Sequence, residues 1–132
     1  MTDWHILLAT AGVLGLEFLV LSILAGRQRY LTKTMLGDGE GVPEKHALLE
    51  AVRAHGNFAE YVPLCLLLIS GLAMANAASW FVALLSAGLV VGRLLHPFGL
   101  HLPAPNPFRA IGVMLTWAVL LAASIAVLVI AL

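Results

Sequence analysis

A chain of 132 residues that is 61% hydrophobic and 11% charged, with a mean hydropathy of +1.00, is too apolar to be an ordinary soluble domain. Its formal net charge is zero, from seven Lys and Arg against seven Asp and Glu. A single cysteine, Cys65, excludes an intrachain disulfide.

A helix that crosses a bilayer needs roughly 20 apolar residues. Four stretches qualify, at about 4–25, 48–75, 79–95 and 108–131. They predict an all-α, integral-membrane four-helix bundle in a single domain covering 1–132. The first stretch is not read as a signal peptide, because Asp3 makes its leading end acidic and Glu17 interrupts it. The connection that follows, from Gly26 to about His46, holds Gly37, Gly39, Gly41 and Pro43 and reads as a mobile excursion. Beyond it, Pro43-Glu44-Lys45-His46 has the proline and acid of a helix start. Asn76-Ala77-Ala78 suits a tight turn between the second and third helices. From His96-Pro97 to Pro107 four prolines predict a stiff, non-helical link.

The basic residues are one-sided. Arg27, Arg29, Lys33 and Lys45 follow helix 1, Arg53 opens helix 2, Arg93 closes helix 3 and Arg109 opens helix 4. By the positive-inside rule both termini are expected on the non-cytoplasmic side.

Tyr61 to Gly92 carries no formal charge, yet its leading end, Arg53-Ala54-His55-Gly56-Asn57-Phe58-Ala59-Glu60-Tyr61-Val62-Pro63, is polar. Ionisable groups at membrane depth are costly and mark a site by default. Arg53, Asn57 and Glu60 fall on one helical stripe. Arg53 and Glu60 stand two turns apart, roughly 10 Å along the axis, which suits a ligand lying between them. Tyr61 borders the same face and His55 points to the opposite one. Two structural alternatives stay open: Arg53 and Glu60 bridging to a neighbouring helix, and Arg93 snorkelling to the interface. Arg27, Arg29 and Lys33 serve as topology signals. Glu17 is a candidate buried partner for Arg53 or Arg93, with a protonated lone acid as the alternative. Cys65 reads as a small buried hydrophobe, and no metal-ligand spacing is present.

The pattern Arg53-Ala54-x-x-Asn57-x-x-Glu60-Tyr61-x-Pro63 resembles the signature of the membrane-associated proteins in eicosanoid and glutathione metabolism, the MAPEG family. The wording His55-Gly56-Asn57-Phe58-Ala59-Glu60-Tyr61-Val62-Pro63 is most similar to its bacterial branch. The resemblance implies a homotrimer of four-helix subunits in the bacterial inner membrane. Glutathione would lie between adjacent subunits on the cytoplasmic side, as substrate or cofactor, held by Arg53, Asn57 and Glu60 with Tyr61 beside them. It implies further contacts from Arg93 and His96 at the end of helix 3, and from Arg27. Leu100 stands where the family often has a second tyrosine, which removes one hydrogen bond. Pro107-Phe108-Arg109 matches the family's catalytic arginine, so Arg109 is the expected thiolate-stabilising group.

The implied function is a glutathione-dependent transferase or peroxidase that directs the thiolate at a hydrophobic electrophile or lipid hydroperoxide entering from the bilayer. The implied partners are glutathione, a hydrophobic or lipid substrate and membrane lipid, not nucleic acid. A non-catalytic membrane protein that binds a lipid or a partner in the same intersubunit cleft is the alternative. A small transporter subunit is a third reading, disfavoured because the polar pattern is not repeated in the second half.

Overall fold

A computed structural model describes residues 3–103 and 105–132. Among them every regular element is helical, with no strand: α1 (Asp3–Thr32), a single 3-10 turn (Pro43–Lys45), α2 (His46–Met74), α3 (Ser79–Leu100) and α4 (Pro107–Ala131). All four α-helices are long and apolar enough to cross a membrane. At 30 residues, α1 is about 45 Å long and outruns a hydrocarbon core of about 30 Å. Arg27, Arg29 and Thr32 lie on its last two turns, which are helical and not part of the expected loop, and at the other end of the connection α2 begins with polar turns of its own.

The bundle is apolar inside and out, as a membrane solvent demands. Leu7, Leu14 and Leu21, each one heptad apart, give α1 its inner stripe. They pack with Phe58, Val62, Cys65, Ile69 and Leu72 of α2, Val82, Leu85 and Leu89 of α3, and Val119 and Ala123 of α4. Cys65 is fully buried among them, a small core hydrophobe. Leu8, Leu19, Ile23, Leu121, Ile125 and Leu128 stand exposed on the outer faces of α1 and α4.

Two helices end by the same device. Lys33 takes φ 53° after α1, with Thr34 N–H bonded to Arg29 O at 3.0 Å and Lys33 N–H to Tyr30 O at 3.3 Å. Asn76 takes φ 55° after α2, with Ala77 N–H on Leu72 O and Asn76 N–H on Ala73 O. Both are Schellman closures, which satisfy the last carbonyls of a helix. Asn76 therefore makes the expected tight turn.

The first connection is more ordered than its glycines suggest. Gly37, Gly39 and Gly41 all adopt left-handed φ values near 78° (79°, 76° and 78°). At Gly39 a Cβ would also come within 2.7 Å of Lys45 Cβ, so two requirements coincide there. Arg29 Nη1 donates to the carbonyls of Met35 (3.1 Å) and Gly37 (2.7 Å), folding the loop back onto the bundle.

The largest correction concerns α3. It does not stop before His96-Pro97 but runs through Pro97 to Leu100. Pro97 forfeits the bond to the Arg93 carbonyl, while the extra turn is held from outside. Asn106 Nδ2 donates to Gly99 O at 2.7 Å, and Gly99 lies directly against the backbone of Arg109. Among the described residues the non-helical link is thus confined to 101–103 and 105–106. Asn106 also caps α4, its Oδ1 accepting Arg109 N–H at 3.0 Å, with Pro107 at the first helical position.

Small residues set the α3–α4 approach. A Cβ on Gly112 would lie 2.8 Å from Gly92 O and 2.8 Å from His96 N, while Gly12 and Gly15 of α1 face open space. Gly112→Ala is therefore expected to destabilise the detergent-solubilised protein by about 1–3 kcal/mol in chemical or thermal unfolding. The same change at Gly12 is expected to be neutral, or to stabilise by up to about 1 kcal/mol through helix propensity. Asn106→Ala, which removes the cap and the tie to Gly99, is expected to cost about 0.5–2 kcal/mol in the same assay.

Candidate functional site

One end of the bundle holds a cavity of about 910 Å³. Arg53, Asn57 and Glu60 open onto it from α2, so the predicted stripe shares a single space. His96 and Leu100 reach it from α3, Arg109 from the first turn of α4, and Asp38 and Glu40 from the first connection. Four separate segments of chain therefore build one polar chamber. Its position depends on the last turn of α3 and the capped start of α4, which hold His96 and Arg109 side by side.

Each stripe residue has a definite setting. Arg53 forms ion pairs with Asp38 at 3.4 Å and Glu40 at 3.5 Å, so its bridge runs to the loop and not to another helix. Glu60 is exposed and makes no ion pair within 4 Å among the described residues. Asn57 accepts from Arg93 Nη1 twice, at 2.9 Å on Oδ1 and 3.3 Å on its carbonyl. With Oδ1 engaged, the Asn57 amide is left with its N–H donors for the cavity.

Arg93 does not snorkel. It is 1% exposed and lies beneath the cavity, between α2 and α3. Among the described residues its Nε and Nη2 have no hydrogen-bond partner, and neither does the buried carboxylate of Glu17 on α1. The two groups lie within reach of each other's charge without closing a contact under 4 Å among the described residues. Of the two partners considered for Glu17, Arg93 is the one within electrostatic reach. An unpaired charge in such a setting is costly.

The remaining predicted residues divide. His96 is 4% exposed and forms part of the cavity wall. Arg109 is exposed, lines the polar cavity, and also borders an apolar groove of about 420 Å³ with Val113, Met114 and Trp117. Tyr61 is half-buried and Arg27 exposed, and neither lines the cavity in the single chain. His55 faces away and stacks on Phe18 with centroids 4.7 Å apart.

Several contributors escaped the sequence reading. Asp38 and Glu40 were part of an unassigned loop, and Asn106 was unmarked among prolines. Glu50 draws together His46 Nδ1 at 3.1 Å and His101 Nδ1 at 2.9 Å on the cavity wall. The His46–Glu50 spacing of four was a readable signal, but nothing local ties Glu50 to His101.

Comparison with known proteins agrees with this architecture. The chain is 36% identical over 95 residues to "Inner membrane protein YecN" of Escherichia coli strain K12, covering 72% of this chain and 69% of the relative. The protein of the same description from Escherichia coli O6:H1 gives the same figures. No solved structure matches. The sequence profile of the MAPEG family matches residues 7–129, nearly the whole of the bundle, and the chain belongs to that family.

Proposed function

We propose that this protein is an integral-membrane glutathione-dependent transferase or peroxidase. It acts as a homotrimer in the bacterial inner membrane, with both termini on the non-cytoplasmic side. One observation carries the reading: Arg53, Asn57, Glu60, His96 and Arg109, from three helices, open on the same cavity. Membership of the MAPEG family supports the ligand and the trimer, and the description of the YecN relatives as inner membrane proteins supports the location.

The wall suits glutathione group by group. Arg53 meets a carboxylate, Glu60 the ammonium, and the pinned Asn57 amide a peptide or carboxylate oxygen. Arg109 is left for the sulfur. Keeping a thiol ionised about two pH units below its usual value near 8.5 requires about 2.7 kcal/mol of preference for the anion. A guanidinium at the edge of a poorly hydrated chamber supplies it without itself titrating. The apolar groove that shares Arg109 gives the hydrophobic electrophile a place beside the thiolate. Bond formation to that electrophile then needs no further charged group from the lipid side.

A second reading, a non-catalytic membrane protein that holds a lipid or a partner in the same cleft, has one observation in its favour. Leu100 gives the cavity wall an apolar side chain beside Arg109.

Glutathione titration of the detergent-solubilised protein, followed by thiolate ultraviolet absorbance, separates the two. The wild type is expected to bind saturably and form thiolate at neutral pH. Arg109→Ala is expected to keep binding within a few-fold and to lose at least about 10-fold of the thiolate. Asn57→Ala is expected to weaken binding by about 10-fold or more. A wild type without saturable glutathione binding overturns the transferase reading in favour of the binding protein.

Asp38 and Glu40 occupy the arginine that an incoming carboxylate needs. Exposed ion pairs of this kind are worth about 0–1 kcal/mol. The double variant Asp38→Asn, Glu40→Gln is therefore expected to tighten glutathione binding by up to about five-fold at low salt, with the gain shrinking as salt is added. Isothermal titration at two salt concentrations measures it.

A further inference from the structure

Arg109 can stabilise an anion, but a guanidinium cannot accept a proton. A thiol activated beside it gives its proton to another group on the wall or to water. Asp38 and Glu40 are engaged with Arg53. Glu60 and His96 line the cavity with no hydrogen-bonded group among the described residues to orient them.

His101 differs from all of these. Its Nδ1 lies 2.9 Å from Glu50 Oε2, while the other carboxylate oxygen holds His46 Nδ1 at 3.1 Å. An ionised carboxylate only accepts hydrogen bonds, so a neutral imidazole facing it donates from Nδ1 and keeps its lone pair on Nε2. Glu50 is thereby fixed from two sides, with a side chain only 17% exposed, and it is placed to stabilise an imidazolium. The same three groups are not placed to hold a metal ion. Between the two imidazoles the fold favours His101. It follows Gly99, whose backbone abuts that of Arg109, whereas His46 stands on the first turn of α2. The His101 side chain is also 58% exposed, which gives a proton a route to water.

We propose that His101, oriented by Glu50, is the proton acceptor of the cavity and takes the proton of a thiol bound beside Arg109. This rests on the thiol-activating function proposed above. In the step the S–H bond breaks and its electron pair stays on sulfur. The proton forms an N–H bond at His101 Nε2 and then passes to water, returning the ring to its neutral form. Arg109 holds the thiolate and Glu50 the transient imidazolium. His101 governs the rate of ionisation, and Arg109 governs its extent.

Stopped-flow mixing of the solubilised protein with glutathione tests this, reading thiolate absorbance and proton release to an indicator dye. His101→Gln, which keeps a donor for Glu50, is expected to bind glutathione within about two-fold of wild type. It is expected to reach a similar final thiolate level at least about 10-fold more slowly. Added imidazole restores the rate. Glu50→Gln is expected to slow ionisation several-fold while preserving the contact, and His46→Gln by less than about two-fold. An unchanged rate in both His101→Gln and Glu50→Gln, or slow ionisation that imidazole does not restore, overturns the assignment and leaves the transferase reading standing. Loss of glutathione binding in His101→Gln overturns it also, since the residue is then a binding group. A wild type that forms no thiolate overturns both.

Discussion

A guanidinium 1% exposed inside a lipid-facing bundle is the constraint around which this protein is arranged. Arg93 has hydrogen-bond acceptors in the side chain and carbonyl of Asn57 and lies within electrostatic reach of Glu17 on α1. That single buried group therefore ties α3 to α2. Its contact with Asn57 also decides what the cavity above can recognise, because it consumes the acceptor of the amide and leaves the donors. Replacing Arg93 by an apolar residue would relieve the burial cost, yet it would also free the amide to turn over.

The second organising element is the junction of α3 and α4. Its backbones approach so closely at Gly92–Gly112 and Gly99–Arg109 that no Cβ fits without movement. Asn106 then locks the junction from both sides, donating to the end of α3 and capping the start of α4. Position in the cavity is thus inherited from main-chain contacts. The long, flexible Arg109 side chain starts from a fixed root, and a residue with no charge of its own determines where the cationic group operates.

Residues related through helix geometry were legible in the sequence. Arg53, Asn57 and Glu60 are separated by four and three residues, and a regular helix leaves no choice about which face they share. The four apolar helices and the Asn76 turn followed from apolarity and backbone preference in the same way, although α1 runs on to Thr32, past the end expected near 25. The end of α3 was not legible. Pro97 argues for a stop when only local sterics are counted, and the bond that keeps the helix going comes from Asn106 across the link. Similarly, Arg93 at the end of an apolar run looks like an interfacial residue until Asn57 is brought under it. Glu50 and His101 are 51 residues apart, a relation that only the assembled bundle creates. The loop acids escaped for another reason: glycine spacing signals freedom of the backbone, and here the left-handed turns it permits are used to bring Asp38 and Glu40 onto Arg53.

The helices that outrun the hydrocarbon core also decide in which phase the chamber operates. The polar turns at that end of the bundle form its mouth, while the groove beside Arg109 runs along Val113, Met114 and Trp117 of α4. Under the proposed function a water-soluble molecule reaches the site at its bulk concentration. An apolar one arrives by lateral diffusion, at a concentration reckoned per lipid rather than per litre. Encounter between the two is therefore sensitive to dilution of the membrane itself: adding inert lipid lowers the frequency of the second arrival and leaves the first untouched.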